Sequence, residues 1–179
     1  MIRRTFLRVV VAFAGLPAIG PVLPLMLGHG LASAAELDPD EIDATALAAA
    51  IGRGRVLLVD VRLLEEYSVS RIAGAIRVDP AIDTGALVRR LGARITGTDV
   101  VLYCTLGPRS AGLGINAGYA LVNAGAKRVR ILKGGVIAWA NAGLPLVDHK
   151  GATRNVHPSD QATALSLTDP SRARFAPRR

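Results

Sequence analysis

Apolar residues occur along the chain in short blocks separated by turn-forming residues, and the blocks alternate in kind. Residues 56–60 (VLLVD) and 100–103 (VVLY) are brief, nearly unbroken apolar runs between turn signals, and residues 128–132 (RVRIL) form a further strand candidate with a basic lead-in. Such runs read as strands buried on both faces. Residues 75–78 (AIRV) form a shorter candidate, ended by Pro80. Between these lie segments of helical type. Residues 44–51 (ATALAAAI) follow Asp43, a good N-cap residue, and stop at Gly52 and Gly54. Residues 63–67 (LLEEY) suit a helical turn. Residues 84–92 place Leu87 and Leu91 on one face and leave Arg89 and Arg90 to solvent. A longer helix opens near Arg109 and Ser110 and runs to about Ala124, capped by Gly125. A last helix holding Trp139 follows Gly134-Gly135, and Gly143 and Pro145 close the domain. Residues 36–41 read as an acidic lead-in. Strands alternating with helices imply a parallel sheet covered on both faces, with ligands binding beyond the carboxyl ends of its strands.

The two ends of the chain stand apart from this pattern. Residues 1–34 carry Arg3, Arg4 and Arg8, an apolar run over residues 9–27, and an Ala-Ser-Ala exit at 32–34. That is the layout of an export signal, cleaved after Ala34 or Ala35. Arg3, Arg4, Phe6, Leu7 and Arg8 resemble the twin-arginine signal that sends folded proteins across the bacterial inner membrane. A periplasmic or otherwise exported location follows, with the membrane met only transiently. The alternative is an uncleaved signal anchoring the chain to the inner membrane; Pro17, Pro21 and Pro24 argue against a firm spanning helix. Residues 150–179 hold three prolines, six basic and two acidic residues and few large apolar ones, and read as a basic, disordered tail.

The net charge of +8 therefore belongs to the ends: residues 35–149 carry 13 basic and 12 acidic side chains. No basic face marks the folded part, which excludes a nucleic-acid partner at this level of reading. One cysteine excludes an internal disulfide and a cysteine-based zinc site, and three scattered histidines make no metal cluster. No metal and no cofactor are expected.

The one cysteine is where the chemistry gathers. Cys104 follows the strand 100–103 directly, and Thr105, Leu106, Gly107 and Pro108 lead to Arg109 and the next helix. A tight strand-to-helix loop can turn backbone N–H groups inward, and the helix dipole and Arg109 add positive field. Such a field favours the thiolate, the nucleophilic form. Taken alone, a lone cysteine is as readily a small buried hydrophobe.

Three stretches together resemble the rhodanese-like family of sulfurtransferases. The first, LLVDVRLLEEY, carries Asp60, Arg62, Glu66 and Tyr67. The second, YCTLGPRSAG, has a cysteine, a glycine three residues on, then arginine and serine. The third, ILKGGVIAWANAGLP, supplies Gly134, Gly135, Trp139, Gly143 and Pro145. The resemblance covers one domain, about residues 35–149. It implies a three-layer α/β/α fold around a five-stranded parallel sheet. It also implies that Cys104 takes a sulfane sulfur as a persulfide and passes it on. The partners would be a small sulfur donor, such as thiosulfate, and a thiol or cyanide acceptor, with a protein acceptor as a further candidate. By position, Cys104 is the nucleophile, and Thr105, Leu106, Gly107, Pro108 and Arg109 surround the substrate. Arg109 would orient an anionic donor or offset the persulfide's charge. Asp60, Arg62 and Ser110 would support the site structurally.

The chain departs from the family at residues 70–75, SRIAGA, where the family has a histidine and a proline. Thr105 and Leu106 stand where thiosulfate-using members often carry cations. Pro108 has no N–H to offer the loop. Two other functions compete: a binding module of the same fold that holds sulfur, an anion or a partner without turnover, and a phosphatase or arsenate-handling enzyme. The loop from Cys104 to Arg109 is one residue shorter than in the related phosphatases, which favours sulfur over phosphate.

Overall fold

The computed structural model describes residues 40–54 and 56–179. The export signal expected over 1–34 lies outside the described residues. Five strands form one parallel sheet: β1 (Asp40–Ile42), β2 (Val56–Asp60), β3 (Ile76–Arg77), β4 (Asp99–Tyr103) and β5 (Arg128–Leu132), in the order β1-β5-β4-β2-β3. The central strands β2 and β4 run in register from Val56 beside Asp99 to Asp60 beside Tyr103. Strand β1 was read as an acidic lead-in. It is a three-residue edge strand whose Asp40 and Glu41 face solvent and whose Ile42 alone is buried, too short to show a pattern.

The period of two in β2 and β4 divides the core. Leu57, Val59 and Val61, with Val100 and Leu102, face α3 (Thr84–Leu91) and α4 (Pro108–Asn123). Leu58, Val101 and Tyr103 face the other way, toward α1 (Ala44–Gly52) and α5 (Gly135–Asn141). Alternate residues thus serve opposite layers, which is why these strands carry unbroken apolar runs. The short helix α2 (Leu64–Val69) follows β2.

Residues 150–179 are not the disordered tail the sequence suggested. Strands β6 (Leu146–Asp148) and β7 (Gly151–Thr153) form an antiparallel hairpin, and α6 (Gln161–Ala164) and a 3-10 turn (Pro170–Arg172) follow. Val156 and Leu167 are buried in the α1–α5 layer. Arg172 donates to the carbonyl of Ala140 at 2.6 Å, and Arg178 pairs with the buried carboxylate of Asp148. Single apolar residues spaced far apart anchor this segment, so no periodicity announced it. Its arginines, read as solvated charge, cap carbonyls and a carboxylate instead. Among the described residues no helix is long and apolar enough to cross a membrane.

Candidate active site

Strand β4 delivers Cys104 to the carboxyl end of the sheet. The thiol continues the alternation of Val100 and Leu102 and is 1% exposed. Its Sγ accepts the N–H of Gly107 at 3.1 Å. The loop can double back this way because Gly107 adopts φ 123°, a conformation that strains any L side chain. Pro108 then opens α4, in the first turn, where an N–H would have no partner within the helix. Ser110 is fully buried; its hydroxyl lies 3.7 Å from Sγ and donates to the carbonyl of Gly107 at 2.7 Å. Leu106 stands at the rim, 41% exposed.

A second element fixes the loop from behind. The N–H groups of Val136 and Ile137, at the start of α5, donate to the carbonyls of Cys104 (2.9 Å) and Thr105 (3.2 Å). A Cβ on Gly135 would lie 2.4 Å from both carbonyl oxygens, so only glycine lets the helix come this close. Trp139 packs in the core beneath and donates to the carbonyl of Pro145.

Two arginine–carboxylate pairs lie at this end of the sheet. Arg62 reaches back to Asp60 two residues earlier, with Nη2 2.7 Å from Oδ2 and Nε 2.9 Å from Oδ1, and donates also to the carbonyl of Ser70. Both side chains are fully buried, and the guanidinium sits 5.6 Å from the centre of the Tyr103 ring.

The other pair closes over the cysteine loop. Arg109, expected to orient an anionic donor or offset the persulfide's charge, makes a two-pronged pair with Glu66, each prong 2.7 Å. Glu66 Oε1 also accepts the hydroxyls of Thr105 (2.8 Å) and Ser159, and Oε2 accepts the N–H of Leu63 (2.8 Å). Arg109 Nη2 in turn donates to both hydroxyl oxygens, Thr105 at 3.0 Å and Ser159 at 3.2 Å. Burial alone would raise the Glu66 carboxyl, but the bonds from Arg109, Ser159, Thr105 and Leu63 outweigh it and hold the group down at about 2. The bond to Glu66 in turn raises Arg109 against the opposing effect of its burial.

The sequence marked Glu66 only as part of a family pattern, and offered no signal for Ser159. A cleft of about 210 Å³ opens beside the clamp, lined by Leu63, Glu65, Glu66, Arg109, His157 and Ser159. A wider one of about 580 Å³ lies on the other side of Arg109, between residues 80–84 and the start of α4. Among the described residues no group of three His, Cys, Asp and Glu side chains stands together to hold a metal.

A cysteine on a backbone turn at the carboxyl end of a parallel strand, backed by a helix, places this chain among α/β proteins with a site beyond the strand ends. Comparison with known proteins gives the family. The profile of the rhodanese-like domain matches residues 43–142, and the chain belongs to that family. It is 34% identical over 113 residues to a sulfurtransferase of Allochromatium vinosum, spanning 63% of this chain and 98% of that protein. It is 36% identical over 99 residues to an HTH-type transcriptional regulator of Mycobacterium tuberculosis, where the match spans 52% of this chain and 38% of the regulator. Among solved structures it is similar to a thiosulfate sulfurtransferase of Pseudomonas aeruginosa, with TM-score 0.50 and 25% identity, over 72% of this chain and 23% of that one.

Proposed function

We propose that this chain is an exported single-domain sulfurtransferase that carries a sulfane sulfur on Cys104. The observation that carries the reading is the Gly107 N–H directed at Sγ, 3.1 Å away, in a loop held from behind by α5. A preorganised donor at a sulfur that gains and loses negative charge is what such transfer needs. With thiosulfate, the Cys104 thiolate attacks the sulfane sulfur. The new S–S bond forms as the bond to the sulfonate group breaks, and sulfite leaves with its electron pair. Cys104 is left as a persulfide anion. In the second half a thiolate or cyanide attacks the outer sulfur, and the Cys104 thiolate departs. No net oxidation occurs and no cofactor enters. Residues 1–34 support export to the periplasm before this chemistry, with cleavage after Ala34 or Ala35.

A second reading, a module that holds sulfur or a partner without turnover, draws support from two observations: the sulfur is 1% exposed, and Arg109 is already engaged by Glu66. Mass spectrometry separates the two. Protein recovered from a bacterial periplasm and treated with thiosulfate or mercaptopyruvate should begin at Ala35 or Glu36. It should gain one sulfur at Cys104 and lose it to cyanide. A Cys104→Ser variant should gain none. A folded wild-type protein whose thiol stays unmodified with both donors would overturn the enzymatic reading.

A further inference from the structure

The match to the family ends at residue 142, yet the site draws on residues past it. After the β6–β7 hairpin the chain returns to the cysteine loop with the segment 156–160. It is pinned there by buried Val156, which pairs with Ala173, and by His157, 6% exposed and edge-on to Phe175 at 5.3 Å. The Nδ1 of His157 accepts the N–H of Ser159 at 3.1 Å. Ser159 has φ 72°, the one positive value outside glycine among the described residues. Left-handed backbone in a non-glycine residue is strained and persists only where surrounding contacts enforce it. Here the strained turn directs the hydroxyl at Glu66 Oε1, Thr105 Oγ1 and Arg109 Nη2.

We propose that the segment 156–160 is a wall of the substrate pocket and that Ser159 is a positioning residue, holding the Glu66–Arg109 clamp so that the pocket admits a small sulfur donor of low negative charge. This rests on the sulfur-transfer reading of Cys104. The 210 Å³ cleft takes two of its six lining residues, His157 and Ser159, from this segment. Its charged lining is Glu65, Glu66 and Arg109, with both Glu66 oxygens already on the guanidinium. One carboxylate, Glu65, is left in excess. Burial lowers His157, so its imidazole adds no positive charge near neutral pH. A dianion such as thiosulfate meets net negative charge there, and a monoanion such as mercaptopyruvate meets less repulsion; with it the Cys104 thiolate attacks the donor sulfur as the C–S bond breaks, and the enolate of pyruvate leaves with the electron pair and takes a proton. Glu66 itself is faced by Arg109 from α4, by Arg62 from the turn after β2, and by His157 from the segment.

The test uses the full chain and reads persulfide formation at Cys104 by mass, with mercaptopyruvate and thiosulfate as probes, between pH 2 and 9. In wild type, kcat/KM for mercaptopyruvate should exceed that for thiosulfate by about tenfold or more. Ser159→Ala should raise KM for mercaptopyruvate by about tenfold with little change in melting temperature. It should also move the acid limb of the pH profile upward, because Glu66 loses a donor; a purely structural role would leave that limb in place. Ser159→Gly relieves the backbone while removing the hydroxyl, so the same loss in both variants assigns the effect to the hydroxyl. Wild-type KM and acid limb in both variants would overturn the proposal, as would a wild type that uses thiosulfate as well as mercaptopyruvate. Either result would leave Cys104 transfer standing. A wild type modified by neither donor would instead overturn the transfer reading and this inference with it.

Discussion

The Asp60–Arg62 pair and the Glu66–Arg109 pair use the same chemistry at the same end of the sheet, but they do different work. The first joins residues two apart, is fully buried, and ties the end of β2 to the carbonyl of Ser70. The second joins residues 43 apart, leaves Arg109 34% exposed, and borders two clefts. A pair local in sequence and sealed from water serves the frame. A pair assembled across the fold, with one partner reaching solvent, can meet a substrate. Burial depth and sequence separation distinguish the two, where residue type does not.

The comparison breaks most visibly at Arg62. Replacing Arg62 by Ala strands the Asp60 carboxylate in the core and should cost about 3–5 kcal/mol, read as a lower denaturant midpoint. An unchanged midpoint with lost sulfur transfer would reverse the roles assigned here.

The Glu66 clamp should show in acid. Its carboxyl, ordinarily near 4.5, is held at about 2 because the hydrogen bonds from Arg109, Ser159 and Thr105 overcome the upward effect of burial. A depressed carboxyl contributes stability above its unfolded value that is lost as pH falls through its folded value. The gap between wild type and Glu66→Gln should therefore be on the order of 2 kcal/mol near neutral pH, allowing for solvent around Arg109, and should close between pH 4.5 and 2. Urea titrations across that range measure it; a gap independent of pH would mean the clamp is not ionic.

The smallest effect belongs to Ser110, whose hydroxyl braces the carbonyl of Gly107. Ser110→Ala should lower stability by about 1 kcal/mol and slow persulfide formation only a few-fold in a stopped-flow assay. A larger kinetic loss would bring Ser110 into the chemistry beside Arg109.

Much of the frame was legible because period-two burial leaves a direct mark. Strands β2, β4 and β5 each present residues to both layers, and their apolar runs record it. The same logic failed at β1, where one buried residue in three makes no pattern. It failed again beyond residue 150, where Val156 and Leu167 anchor the chain singly. The site divides likewise. Cys104, Gly107 and Arg109 fall within one loop, and their spacing is visible in the chain. Beyond Thr105, the partners of Arg109 stand 43 and 50 residues away, at Glu66 and Ser159. Contacts of that range are set by how layers pack, which no local window contains.

The solitary thiol has a kinetic corollary. In the proposed transfer one Sγ must serve both halves of the reaction, and the chain has no second cysteine to relay the cargo. Reactants therefore visit by turns, the first departing as sulfite or pyruvate before the second arrives. Double-reciprocal plots at several fixed acceptor levels should run parallel, and between visits the enzyme waits with its passenger aboard.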